Sequence, residues 1–94
     1  MIEDRRTKDS KTRFNKLPPR IQKLARATYD LFKINPSHSS LHHKPISKSK
    51  HPTYEKNSHS VRIGATYRAL YGRVGDLRVW YWIGSHEEYN NIVG

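Results

Sequence analysis

Four side chains in the C-terminal third, Arg62, Arg68, His86 and Tyr89, are of the types needed to break a phosphodiester bond. Cleavage of RNA by its own 2′-hydroxyl needs a base for that hydroxyl and an acid for the departing 5′-oxygen. It also needs a cation for the charge that builds on the phosphate. Arg68 and Arg62 offer the cation. Histidine is the residue type whose ordinary titration lies nearest neutrality, so His86 suits either proton role. Tyr89 can relay a proton or stack on a nucleobase. Such chemistry calls for no metal and no small-molecule cofactor.

These residues sit in a segment with strand character. Ser60-Val61-Arg62-Ile63-Gly64 alternates, Thr66 to Arg73 is rich in tyrosine and small residues, and Leu77 to Ile83 is β-branched and aromatic. Gly75-Asp76 between the last two runs suits a two-residue type II′ hairpin. Counting outward from that turn, Val74 faces Leu77, Gly72 faces Val79, Leu70 faces Tyr81 and Arg68 faces Ile83. An unbroken ladder puts Arg68, Leu70, Val79, Tyr81 and Ile83 on one face. Tyr67, Ala69, Tyr71, Trp80 and Trp82 take the other, which becomes the floor for a helix. Arg68 then lies near the sheet end where Gly84-Ser85-His86 leaves, with Tyr89 three residues on. The last strand is apolar on both faces, so a central position is expected for it.

The supporting elements come first in the chain. Ile21, Leu24, Ala25, Thr28, Leu31 and Phe32 recur at helical spacing between Pro18-Pro19 and Asn35-Pro36, predicting a helix over 19–34. A shorter helix is expected over 9–17, residues 1–8 read as frayed, and 85–93 can carry a final helical turn. Residues 35–60 hold seven Ser and five of the six His, a long polar loop with a possible edge strand at 41–46, where Pro45 is tolerated. The stretch 47–57 is expected to be mobile. The loop histidines His38, His42, His43, His51 and His59 raise the question of zinc. Their spacing is irregular, no carboxylate cluster joins them, and His42 and His43 point apart on a strand, so no metal site is expected. The whole reads as one α+β domain over 1–94: one or two N-terminal helices on one face of a small antiparallel sheet.

Eighteen Lys and Arg against eight Asp and Glu leave the 94 residues at +10, which suits a polyanion or an acidic protein as partner. The absence of cysteine rules out disulfide scaffolds and thiol catalysis. No apolar run approaches a membrane span and no secretory leader is visible, so a cytoplasmic location is expected. Lys23, Arg26, Lys44, Arg62 and Arg68 are the expected nucleic-acid contacts. A general nucleic-acid-binding protein fits the charge equally well.

The ordered set Leu17-Pro18-Pro19-Arg20-Ile21, Ser60-Val61-Arg62-Ile63-Gly64, Tyr67-Arg68-Ala69-Leu70 and Trp82-Ile83-Gly84-Ser85-His86-Glu87-Glu88-Tyr89 resembles the RelE/ParE superfamily of bacterial type II toxins, over about residues 12–93. The resemblance implies helices on a curved antiparallel sheet whose other face does the work, and a cognate antitoxin that neutralises it. The RelE branch implies ribosome-dependent, metal-independent mRNA cleavage. The ParE branch implies non-enzymatic inhibition of DNA gyrase, and an inactive antitoxin-binding member is the other alternative. Arg68 matches the family's tyrosine-arginine strand motif, and Arg62 sits where the preceding strand carries a basic residue. His86 falls where RelE-like nucleases often have arginine, and Tyr89 approximates the C-terminal tyrosine. The family's first strand is not visible before Asp9.

Overall fold

A computed structural model describes residues 2–46 and 57–93. Its strands are β1 (Glu3–Arg6), β2 (Lys44–Ile46), β3 (Ser58–Ile63), β4 (Tyr67–Val74) and β5 (Leu77–Ser85). Its helices are α1 (Lys8–Asn15), α2 (Pro19–Ile34) and α3 (His86–Val93). The helix expected over 19–34 forms with those bounds.

Local chemistry explains the helix ends. Thr7 caps α1 through its hydroxyl, which accepts the Ser10 amide at 3.1 Å. Pro19 occupies the first turn of α2, where its missing N–H costs nothing. The Gln22 amide nitrogen donates back to the Leu17 carbonyl at 3.0 Å, tying the start of α2 to the end of α1. Ile21, Ala25 and Phe32 form the buried stripe of α2, as the periodicity requires.

The sheet runs β1-β5-β4-β3-β2. The expected β4–β5 hairpin turns at Gly75, whose φ of +58° is the left-handed value a type II′ turn asks of its first residue. β5 is interior, as its two apolar faces suggest. The edge strand exists but is shorter than 41–46. Leu41 instead closes a 3-10 turn over Ser39–Leu41 and is buried in the core, while Pro45 lies in the outermost strand. Part of the expected loop is also strand, since β3 begins at Ser58. Residues 47–56, most of the stretch expected to be mobile, lie outside the described residues.

Two expectations need correction. Residues 3–6 are not frayed: they form β1, which pairs in parallel with β5 from Glu3↔Leu77 to Arg6↔Trp80 and makes the sheet mixed. Charge hid this strand, because three of its four side chains are exposed and only Asp4 faces inward. Asp4 takes a two-pronged hydrogen bond from Arg78 (2.7 and 2.8 Å) and a third from the Trp80 indole (2.9 Å). Burial pushes the Asp4 carboxyl up, but these donors, with Tyr29, outweigh it and hold the group below its ordinary value. Tyr29 is pushed up to about 12, by burial and by the Asp4 carboxylate that accepts its hydrogen bond.

The second correction is a β-bulge. Tyr71 pairs with Trp80, but Leu70 pairs with Trp82, so Tyr81 is an extra residue in β5. Past the bulge every side chain changes face relative to an unbroken ladder. Trp82 joins Leu70, Tyr81 and Tyr89 in one cluster, while Ile83 joins Ala69, Tyr71, Trp80, Phe32 and Ala25 in the other. Arg68 therefore faces Gly84 rather than Ile83. One face of the sheet carries α1 and α2 (the α2 face). The other packs against α3 (the α3 face).

Candidate functional site

Alternation along β3 and β4 decides which side chains reach the α3 face. Val61 and Ile63 bury into the α2-face core, so Arg62 between them points to the opposite side. Its partner across the ladder is Arg68. Two guanidiniums thus oppose each other on one face, an arrangement that repels unless an anion sits between them. Burial and the neighbouring Arg62 charge both draw the Arg68 pKa down, with the Tyr89 phenol opposing. Among the described residues the salt bridges engage Arg5, Arg13, Arg73 and Arg78, and neither Arg62 nor Arg68. Backbone carbonyls orient both: Arg68 donates to Tyr67 O at 2.9 Å and Arg62 to Gly64 O at 2.7 Å.

His86 and Tyr89 reach this face because α3 begins where β5 ends. Ser85 and Glu88 form a reciprocal cap: the Glu88 carboxylate accepts the Ser85 amide, and the Ser85 hydroxyl accepts the Glu88 amide, each at 3.2 Å. This S-x-x-E signature was present in the sequence as Ser85-His86-Glu87-Glu88 and would have fixed the helix start. The cap puts His86 at the first helical position and Tyr89 one turn on. The His86 amide also donates to Thr66 O at 2.7 Å, which ties the helix to the β3–β4 turn. Gly84 has no room for a side chain, since a Cβ there would lie 2.7 Å from the Trp82 ring.

Tyr89 is the hub. Its ring centroid is 6.0 Å from that of His86, near parallel at 19°, and 6.0 Å from the Arg68 guanidinium carbon. His86 is exposed; Tyr89 is only 6% exposed. Tyr89 therefore braces its two neighbours and offers little open ring to a nucleobase. All four residues singled out for catalysis, Arg62, Arg68, His86 and Tyr89, sit on or beside one face at one end of the sheet.

The expected nucleic-acid contacts divide. Lys44 pairs with Ser60, two residues from Arg62, so it shares the α3 face. Lys23 and Arg26 do not: both are exposed on α2, across the sheet, and the Arg26 guanidinium lies 5.0 Å from the Phe14 ring centroid. They lie outside this cluster. A groove of about 730 Å³ opens on their side, lined by residues that include Arg6, Lys11, Phe14, Arg26, Tyr29 and Trp80. It contains none of the four clustered residues.

His42 is a residue the sequence reading placed only among the rejected zinc ligands. An Arg62 N–H donates to its Nε2 at 3.1 Å. A guanidinium only donates, so Nε2 accepts and the proton of the neutral ring is on Nδ1. His42 holds a left-handed backbone with φ of +43°, uncommon for a residue with a Cβ. Nothing in its sequence neighbourhood signals this.

The fold is shared with solved structures of toxins. YafQ from E. coli strain BL21(DE3) superposes with a TM-score of 0.73 at 11% identity, over 95% of this chain and 98% of that one. A chain of the RelB–RelE antitoxin–toxin complex from Methanococcus jannaschii gives 0.66 at 17%, over 92% and 94%. One from the RelBE2 toxin–antitoxin complex of Mycobacterium tuberculosis gives 0.62 at 25%, over 89% and 96%. No curated protein matches in sequence. The model of the ParE-like toxin domain matches residues 19–91, which span α2, the hairpins and the His86–Tyr89 corner, and the chain therefore belongs to the ParE-like toxin domain family, within the RelE/ParE superfamily.

Proposed function

We propose that this chain is the toxin of a toxin–antitoxin pair and that it cleaves ribosome-bound mRNA. The observation that carries the reading is the opposed Arg62–Arg68 pair, without a carboxylate partner among the described residues, with the Tyr89 ring between Arg68 and an exposed imidazole. A phosphate between the guanidiniums relieves their repulsion, and the relief grows as charge accumulates on the phosphate oxygens in the transition state. The 2′-oxygen attacks the adjacent phosphorus and the P–O bond to the 5′-oxygen breaks, leaving a 2′,3′-cyclic phosphate and a free 5′-hydroxyl. His86 exchanges one proton in this step, as the base that takes it from the 2′-hydroxyl or the acid that gives it to the 5′-oxygen, and water exchanges the other. Tyr89 fixes the distance between His86 and Arg68. The route draws its charge stabilisation from arginine and needs no metal. Lys44 extends the cationic track along the same face.

The partners are a cognate antitoxin, the ribosome and its mRNA. The solved complexes of RelB with RelE, and of RelBE2, support the antitoxin. A strongly basic chain favours an acidic segment of that partner. Among the described residues no helix is long and apolar enough to cross a membrane, and the proposed site of action is the cytoplasm.

The match to the ParE-like model favours a second reading, a non-enzymatic inhibitor of DNA gyrase. Brief induction followed by transcriptome-wide mapping of RNA 5′ ends separates the two. Codon-phased cuts in translated mRNA, lost in Arg68→Ala and His86→Ala, are expected. Intact mRNA with gyrase-linked DNA breaks would replace the nuclease reading with the inhibitor.

A further inference from the structure

Adjacent histidines here serve opposite faces of one sheet. His42 reaches Arg62 on the α3 face. His43 turns the other way, into a half-buried cage on the α2 face. Its ring lies edge-on to Phe32 at 5.1 Å, and 5.5 Å from His59 and 5.9 Å from Tyr71, between centroids. Its Nε2 is 2.8 Å from the Tyr71 hydroxyl, and a hydrogen bond to the Pro36 backbone engages the ring as well. The cage is made by residues of α2, β3 and β4. Between the anchored ring of His43 and the buried Leu41, the backbone of His42 is held left-handed, a strained conformation for a residue with a Cβ. Strain of this kind persists only where the surroundings impose it.

We propose that His43 is a positioning residue for the opposite face: its caged ring imposes the left-handed turn at His42 and so holds the His42 imidazole on the Arg62 guanidinium. The functional consequence rests on the cleavage reading given above; the coupling itself does not. In this arrangement Arg62 is fixed at two points, the Gly64 carbonyl and His42, before any phosphate arrives. A guanidinium so fixed loses less freedom when it binds an anion.

The test reads the coupling directly in the purified full chain. The ¹⁵N resonance of His42 Nε2 is followed above the titration range of histidine, with and without Arg62→Gln. In the parent chain that replacement is expected to move the resonance. In His43→Ala it is expected to move it little or not at all, while circular dichroism shows the fold retained. His43→Phe puts a ring back in the cage and is expected to restore the shift. Should the alanine variant not fold, His43→Gln, which can still bond Tyr71 but cannot stack, is expected to lose the shift in its place. An unchanged Arg62-dependent shift in a folded His43→Ala or His43→Gln chain would overturn the proposal, as would loss of the shift in His43→Phe. RNA cutting is read separately: it should fall at least tenfold in His43→Ala and recover in His43→Phe. A parent chain that shows the coupling and cuts no RNA would remove the cleavage reading and leave the positioning role standing.

Discussion

At the residue scale the site is an electrostatic device built from three cation-bearing or titratable side chains around one buried phenol. Tyr89 touches His86 and Arg68, so Tyr89→Ala should disorder both. Tyr89→Phe keeps the ring and should retain most of the cutting, within about tenfold, if bracing is the role and proton relay is not. Growth arrest and 5′-end counts measure this. Arg68→Lys should fare worse than Tyr89→Phe, because an ammonium cannot replace the forked donor that faces Arg62. The four residues of the proposed site were singled out from the sequence, and the structure brings them to one end of the sheet. Their partners were not: His42 lies twenty residues before Arg62, and no local pattern links them. The Arg68 partner was misassigned by one residue because the bulge at Tyr81 has no composition of its own.

Elements decide whether those residues meet. The S-x-x-E cap fixes the start of α3, so Ser85→Ala together with Glu88→Ala should fray the helix and cost about 1–2 kcal/mol, read by urea unfolding. Gly84→Ala should cost about as much for a different reason, since the new Cβ meets the Trp82 ring. α2 was readable to the residue because its apolar period and its proline bounds agree. β1 was not, because an edge strand that turns three charged side chains outward looks like a charged tail. Its signal was long-range: one inward Asp4 matched to Arg78 and Trp80, seventy-odd residues away.

On the scale of the whole molecule, a 94-residue domain has a stability of only about 5–14 kcal/mol. Phe32→Ala, which empties the contact among Trp80, Tyr71 and His43, should remove about 3–4 kcal/mol and unfold much of the population. The pH dependence has a definite sign. Burial holds His43 and His59 below the ordinary histidine value, so the unfolded chain binds those protons more tightly. Their contribution is complete above about pH 6.5 and is lost as pH falls through the depressed native values. Asp4, also depressed, adds a second loss below about pH 4. Thermal midpoints should therefore fall in two stages on acidification, and His59→Phe should weaken the first. Binding to RNA should fall steeply with salt, and Lys23→Glu with Arg26→Glu should flatten that slope without changing where the RNA is cut.

The pairing of β1 with β5 has a consequence for timing. Glu3–Arg6 leave the synthesising ribosome well before their strand partner Leu77–Trp80 and the Arg78 that donates to Asp4, which come more than seventy residues later. The sheet closes only after that second segment has emerged, and the His86–Tyr89 corner follows it. On the proposed reading the site stays incomplete until that segment has joined the sheet, which leaves an interval in which the proposed antitoxin can take hold first.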